Sequence, residues 1–375
     1  MQTGLSQIRT LRRTDKRITR LIWTGFIVVY LASLFFLMCY KGRGYGFVDP
    51  LQALQNIYTF FRIQISRIFS LPAWTNRAEI IAAHPEYAGV VERFRTGILL
   101  TCGGGILALS GLVYQSATRN PMAVPTMLGV SSGVNLAQVL LVLNFGDSVY
   151  ELSKFHYIYC YGISAISLLL VLGLGKLAGG KNAGVSDMLI VGTVVNRVLQ
   201  LLVNYYRSQM DSDELTILQD FSEDSYELFN SFASLGILVG ISFIVILPLY
   251  MLRFRYNAIS FEDSDAITMG VRPNFLRTYG MIAGALLTTT AMMFCGNVGM
   301  VAMLVPHLCR YLFGAEFSKL FWSSALIGGL LMLLSRIVSM LVYMEDFEIP
   351  IGSIISLLAL PILVWVMLQQ RRGWE

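Results

Sequence analysis

The stretch Leu21-Ile-Trp-Thr-Gly-Phe-Ile-Val-Val-Tyr-Leu-Ala-Ser-Leu-Phe-Phe-Leu-Met-Cys-Tyr40 decides the class of fold. It carries no charge and has the length of about 20 residues that a helix needs to cross a bilayer core. A signal-peptide core is shorter and is followed by a small-residue cleavage site, which is not evident here. The stretch therefore reads as a retained first helix. Arg9, Arg12, Arg13, Lys16, Arg17 and Arg20 precede it and place the N-terminus in the cytoplasm. The rest of the chain agrees with a membrane setting. Its 375 residues are 55% hydrophobic and only 14% charged, against about 25% charged in soluble domains. The same figures exclude a disordered chain, a collagen and a disulfide scaffold. The expectation is an all-α polytopic membrane protein.

Hydropathy predicts ten transmembrane helices, near 21–40, 94–116, 124–144, 157–175, 187–206, 230–252, 278–296, 298–313, 322–343 and 350–368. Asn120-Pro121, Gly296 and Gly299 predict short or interrupted helices around them. The predicted organisation is a basic cytoplasmic tail at 1–20, one transmembrane domain at 21–370 and a cytoplasmic tail at 371–375. Ten spans return the C-terminus to the cytoplasm. On this topology most of the 28 Lys and Arg fall on the cytoplasmic side and most of the 23 Asp and Glu outside. The net charge of +5 is thus a topology signal, and no nucleic-acid partner is expected. Two external segments stand out. Residues 41–93 hold a semi-apolar stretch, Leu51 to Leu71, that fits an interfacial amphipathic helix or a re-entrant span. Residues 211–227 hold Asp211, Asp213, Glu214, Asp220, Glu223, Asp224 and Glu227 with no Lys or Arg. They read as a solvated loop, or as a lip over a pathway mouth.

Catalytic and metal chemistry is not visible. Cys39, Cys102, Cys160, Cys295 and Cys309 lack metal-ligand spacing and read as small buried hydrophobes. Gly175-Lys-Leu-Ala-Gly-Gly-Lys181 matches seven positions of a phosphate-binding loop, but Asn182 replaces the Ser or Thr that holds magnesium. Intramembrane polar residues are the better candidates, because each is costly in hydrocarbon. Asn196, Arg197, Gln200 and Asn204 share one helical face. They serve a helix–helix contact or line a pathway. Gly97, Gly103, Gly104, Gly105, Ala108, Ser110 and Gly111 crowd the second span and read as a close-packing surface.

Three blocks carry a family likeness. Ala108-Leu-Ser-Gly-Leu-Val-Tyr-Gln115 is followed by Arg119-Asn-Pro-Met-Ala123 and Leu128-Gly-Val-Ser-Ser-Gly133. Gly296-Asn-Val-Gly-Met-Val-Ala-Met-Leu-Val-Pro-His307 precedes Arg310 and Gly314. Glu348-Ile-Pro-Ile-Gly352 precedes Pro361. Over residues 93–370 these resemble, in order and spacing, permeases of the FecCD type. Those are the membrane subunits of bacterial ABC importers for ferric siderophores, haem and cobalamin. The resemblance implies ten helices per subunit in the cell membrane. It also implies a second permease subunit, identical or different, two cytoplasmic ATPase subunits and an external or periplasmic substrate-binding protein, besides membrane lipids.

By that resemblance Asp263, Ala266, Met269 and Gly270 belong to an ATPase-coupling element within the cytoplasmic loop 253–277. Ser260 with Asp263 gives a capping-box-like start to a short helix there, Gly270 a left-handed stop, and Pro273 a barrier to continuation. Arg95, with Arg93 beside it, falls at a binding-protein docking position, although Glu92-Arg93-Phe94-Arg95 stands where relatives have Arg-Leu-Pro-Arg. Arg336 and Met340 replace a family Asp and Arg. Gly129, Ser131, Ser132, Asn196, Arg197 and Gln200 are pathway or packing candidates. A metal chelate is held by its own ligand, so the chain is expected to carry no cofactor and no metal site. The expected function is import of iron–siderophore complexes, with haem or cobalamin as alternatives. A secondary transporter is the rival from another class. It calls for internal repeats and acidic groups at mid-membrane, and no acidic residue lies deep in a predicted span.

Overall fold

The computed structural model describes residues 2–41, 46–68, 86–150, 153–179, 185–223, 225–229, 231–342 and 349–372. Among them it is all helical apart from an isolated antiparallel bridge between Tyr40 and Phe47. The helices are α1 (Gln2–Cys39), α2 (Pro50–Ile68), α3 (Tyr87–Thr118), α4 (Val130–Phe145), α5 (Ser153–Gly179), α6 (Val185–Arg207), α7 (Ser212–Ser222) and α8 (Ser225–Leu228). They continue as α9 (Phe232–Met251), α10 (Arg253–Ala258), α11 (Asp263–Thr268), α12 (Pro273–Cys295), α13 (Met300–Phe313), α14 (Phe317–Leu341) and α15 (Ile351–Arg372). Among the described residues seven segments are long and apolar enough to cross a membrane: Leu21–Cys39, Tyr87–Thr118, Phe155–Ala178, Met188–Arg207, Phe232–Met251, Pro273–Cys295 and Phe317–Leu341. Val130–Phe145, Met300–Phe313 and Ile351–Ile362 are shorter apolar helices. They occupy the other three predicted spans. The first two sit beside the Pro and Gly breaks that shorten them, and α4 is preceded by a 3-10 turn at Pro125–Leu128.

The chain divides into two compact units, Met1–Gly97 and Ile98–Glu375. In the first, Met38, Cys39, Val48, Ala53 and Val90 form a buried cluster flanked by Leu34, Phe35, Ile57 and Phe94. Helix α2 is two-faced. Ala53, Asn56 and Phe60 are buried, while Leu51, Leu54, Tyr58 and Phe61 form an exposed apolar stripe at helical spacing. A Lys41–Glu86 ion pair of 2.7 Å closes the loop that carries α2.

The second unit is a helix bundle in which α4, α5 and α6 pack on one another and α13, α14 and α15 do likewise. Helix α12 packs on α4 and α5. The buried cluster of Tyr114, Leu128, Val130, Leu168, Val171, Met188 and Met281 joins α3, α4, α5, α6 and α12. Lipid offers no hydrophobic drive for helices to associate, so close packing has to supply it. The small residues of α3 do this. A Cβ on Gly111 would stand 1.8 Å from the Ala302 carbonyl oxygen, and one on Gly104 2.4 Å from that of Gly328. Backbones touch where most helices would have side chains.

Replacing Gly111 or Gly104 by Val should therefore cost more than the about 1–3 kcal/mol typical of overpacking, because backbone is the obstacle. Gly240→Val is the control, since nothing lies within 4 Å of its Cβ position. Detergent-extracted yield of monodisperse protein should collapse for the first two and hold for the control. Equal yields would contradict this packing.

Candidate functional site

A cavity of about 540 Å3 opens between α4, α6, α7 and α15. Its polar lining includes Asn135, Gln138, Gln200, Asn297, Ser353 and Ser356, with Arg207 and Glu223 among the lining residues. The loop after α12 is held in place by the Asn297 N–H, which donates to the Ser222 carbonyl at 2.9 Å. Gln138 donates to the Phe221 carbonyl at 2.7 Å, and its own amide oxygen is buried without a partner. The cavity therefore presents amides and hydroxyls, with one cation and one carboxylate. Among the described residues no three His, Cys, Asp or Glu side chains are grouped to hold a metal ion. Such a lining can hydrogen-bond a hydrophilic solute without stripping a metal from it.

The sequence candidates divide. Gln200 borders the cavity and also donates to Ser132 Oγ at 3.0 Å, while Ser132 donates to Asn196. These three fasten α4 to α6. Ser131 is buried and its hydroxyl has no partner. Gly129 has φ +73° between the 3-10 turn and α4, and a Cβ there would stand 2.8 Å from Ser167 Oγ. Its place is structural. Arg197 and Asn204 are exposed, on a helix whose outer face also shows Ile190, Val194, Val198 and Leu201.

The acidic stretch 211–227 is folded and not a bare loop. Asp211 accepts from the Glu214 N–H at 2.8 Å, and Glu214 accepts from the Asp211 N–H at 3.2 Å, a reciprocal cap on α7. Glu227 pairs with Arg336 at 3.1 Å, and Tyr226 accepts a further hydrogen bond from Arg336 at 3.0 Å. Arg336, inside the predicted span 322–343, is thereby compensated. Of the phosphate-loop look-alike, Gly175 to Gly179 are the last residues of α5 and so form no loop, and the remainder lies outside the described residues. Asp224 also lies outside them.

The segment joining α9 to α12 holds a second constellation. Helix α11 starts at Asp263 with Glu262 as N-cap, and no side chain caps it. This corrects the expected start at Ser260, whose hydroxyl instead donates back to the Tyr256 carbonyl at 3.4 Å. Asp263 is engaged elsewhere. Arg277 binds its two oxygens at 2.6 and 3.0 Å, and Arg119 binds one at 2.6 Å. Arg119 also donates to the Ile259 carbonyl at 2.7 Å and to the Phe261 carbonyl. The stop is as expected. Gly270 has φ +76°, its N–H reaches the Ile267 carbonyl at 2.9 Å, and Val271 reaches that of Ala266 at 3.0 Å. This paired closure is the Schellman pattern that glycine permits.

The expected coupling residues differ in burial. Ala266 is 0% exposed within the chain itself, so its methyl serves the segment's own packing and offers no surface to a partner. Asp263, its side chain 46% exposed, is engaged by Arg119 and Arg277 of the chain itself. The outward side chains are Ile267 at 61% exposure, Met269 at 56% and Phe261 at 56%. Among the predicted docking arginines, Arg93 is half-buried and donates to the Met38 carbonyl at 3.1 Å, which ties α3 to α1 inside the first unit. It is not a free rim charge. Arg95 is half-buried on the same helix.

Fold and sites together define a helical membrane protein with a polar cavity among its apolar helices and a clamped short helix in a connecting segment. A model of the FecCD transport family matches residues 63–369. The chain belongs to that family. It is 26% identical over 274 residues to a probable iron chelatin transport system permease protein of Helicobacter pylori, covering 73% of this chain and 80% of that one. It is 28% identical to the iron-uptake system permease protein FeuB of Bacillus subtilis, covering 72% and 78%. With the Fe(3+) dicitrate transport system permease protein FecD of Escherichia coli it shares 25% identity over 77% and 88%. Its fold matches a solved metal-chelate type ABC transporter in an inward-facing conformation, with a TM-score of 0.70 over 93% of this chain and 99% of that one, at 21% identity.

The hydrogen bonds from Arg277, aided by the charges of Arg277 and Arg119, hold the Asp263 carboxyl below its ordinary range, against the opposing effect of partial burial. A depressed carboxylate stabilises the fold at pH above its unfolded value, about 3.9, and that contribution disappears as pH falls through the folded value. Amide-exchange protection of residues 259–271 should thus stay flat from neutral pH down to the ordinary carboxylate range and drop below it. Asp263→Asn should remove the protection at neutral pH. Unchanged protection in Asp263→Asn would show that the clamp does not order the segment.

Proposed function

We propose that this chain is the permease subunit of an ATP-driven bacterial importer of iron–siderophore complexes. It would act with a second permease subunit, two cytoplasmic ATPase subunits and an external binding protein. The observation that carries this reading is the clamped segment around α11, which shows Phe261, Ile267 and Met269 outward and is fixed to the bundle by Asp263. Exposed apolar groups rimmed by charge mark a protein-docking surface. A segment that transmits force from an ATPase has to be held by the bundle, and this one is.

The Lys and Arg bias supports placing α11 and both termini on the cytoplasmic side, with all ten apolar helices crossing the membrane. The 540 Å3 cavity then belongs to the external half, where a binding protein would deliver cargo. Its amide and hydroxyl lining suits a hydrophilic chelate better than the apolar faces of haem. The relatives, an iron chelatin permease, an iron-uptake permease and an Fe(3+) dicitrate permease, support iron chelates as cargo. Arg95 remains the docking residue of choice for the binding protein, and Arg93 supports the helix that presents it. Ion-coupled transport is disfavoured because Glu227, the acid paired with Arg336, serves a fixed structural pair.

Reconstitution tests the reading. The chain, purified with its partner subunits and placed in vesicles with the binding protein, should accumulate a ferric siderophore only with ATP. Uptake driven by a proton or sodium gradient without ATP would contradict it. Ile267→Asp and Met269→Asp should each lower ATP-driven uptake at least about tenfold, since a charge would enter an apolar contact, while the permease stays folded. Ala266→Trp should instead destabilise the permease alone, read as a lower unfolding temperature without any ATPase present. Normal uptake by both aspartate variants would remove α11 from the coupling role.

A further inference from the structure

A second cavity, of about 240 Å3, opens beside the clamp. Gln115, Ser116, Arg119, Ser260, Arg310 and Phe317 line it. Its charge is one-sided. Arg310 is half-buried, and one guanidinium N–H donates to the neutral Gln115 Oε1. Among the described residues no carboxylate pairs with Arg310. Arg119 shares its one carboxylate, Asp263, with Arg277. Arg119 and Arg277 thus share one acid, and Arg310 pairs with none among the described residues.

The neutral groups do not relieve this. Gln115 uses its amide N–H on the Ala302 and Met303 carbonyls at 3.4 and 3.3 Å, and Ser116 donates to the Leu112 carbonyl at 2.8 Å. A half-buried cation without a counter-charge is costly, and guanidinium geometry favours a carboxylate or phosphate. The pocket is roomy enough for such a group to enter from outside. Its location selects between sources. Ser260 lines it, and Arg119 reaches the Ile259 and Phe261 carbonyls, so pocket and coupling segment share walls. The neighbouring Phe261, Ile267 and Met269 are exposed and apolar. A protein partner covers both features at once, whereas a lone phosphate would leave the apolar side chains in water.

We propose that this pocket receives an aspartate or glutamate side chain of the ATPase subunit, bound by Arg310 and Arg119 next to α11. The inference rests on the permease reading and adds a charged anchor to its apolar contact. Loss of one partner of such a pair weakens association and flattens its salt dependence.

The test measures binding of the ATPase subunit to the full-length permease in detergent and in lipid discs, with and without anionic lipid, across a salt series. Arg310→Gln should weaken binding at least about tenfold at low salt and flatten the salt dependence in both settings, and Arg310→Lys should recover part of it. Wild-type affinity and salt dependence in Arg310→Gln would overturn the proposal. A loss confined to discs with anionic lipid would overturn it too, by assigning the pocket to lipid phosphate. A second measurement needs no variant. A glyoxal reagent specific for arginine should modify Arg310 in the free permease and spare it in the assembly. Equal modification in both would overturn the proposal. If the wild-type permease binds no ATPase in any setting, the permease reading itself fails, which the other outcomes do not imply.

Discussion

The backbone contact along α3 is the constraint on which the second unit depends. At Gly104 and Gly111 the helix meets the carbonyl oxygens of Gly328 and Ala302 with no side chain between. In lipid, where apolar burial gives helices little reason to associate, that proximity supplies dispersion and lets polar groups reach across. Gln115, on the turn after Gly111, spans to the Ala302 and Met303 carbonyls and to Arg310 because α13 lies so near. Ser110 likewise accepts from Thr288 on α12 at 3.0 Å.

The position of the clamp follows from the same helix. Just past its end, Arg119 has φ +51°, a left-handed conformation that an L side chain adopts at a cost of about 1–3 kcal/mol. Three acceptors hold it there: the Ile259 and Phe261 carbonyls and the Asp263 carboxylate. Asp263 in turn takes the Arg277 fork from α12. The short helix α11 is therefore joined to the ends of two central helices through one carboxylate. In the proposed coupling role, a push on its outward side chains would reach α3 and α12 through these bonds. They are also how a six-residue helix, too short to be stable alone, is held in place.

Much of the architecture was legible in the sequence because hydrocarbon enforces it. Apolar runs of spanning length have few alternatives, and the Pro and Gly breaks marked where helices shorten. The Gly270 stop was legible because positive φ has a strong residue preference. Side-chain partners were not. Nothing local distinguishes Asp263 as a helix cap from Asp263 as the acceptor for arginines 14 and 144 positions away. Ala266, placed in the coupling element by family resemblance, gives no local sign of which side it packs on, and in the structure it is fully buried. Arg93 looked like a rim charge because the carbonyl it binds, Met38, is distant in sequence. The cavity was the largest omission. Gln138, Asn297 and Ser353 come from three separate helices or loops, although their polarity inside apolar surroundings was a signal that could have flagged them.

Through the Asp263 clamp, α11 is part of the bundle and not a flexible arm. The most direct measurement is a pulsed EPR distance between spin labels at Ile267 on α11 and Lys319 at the start of α14, in the assembled transporter, with and without ATP hydrolysis. The account predicts one narrow distance that persists through turnover and broadens in Asp263→Ala. A wild-type distribution that is already broad, or that shifts by several ångströms while the bundle end stays in place, would contradict it.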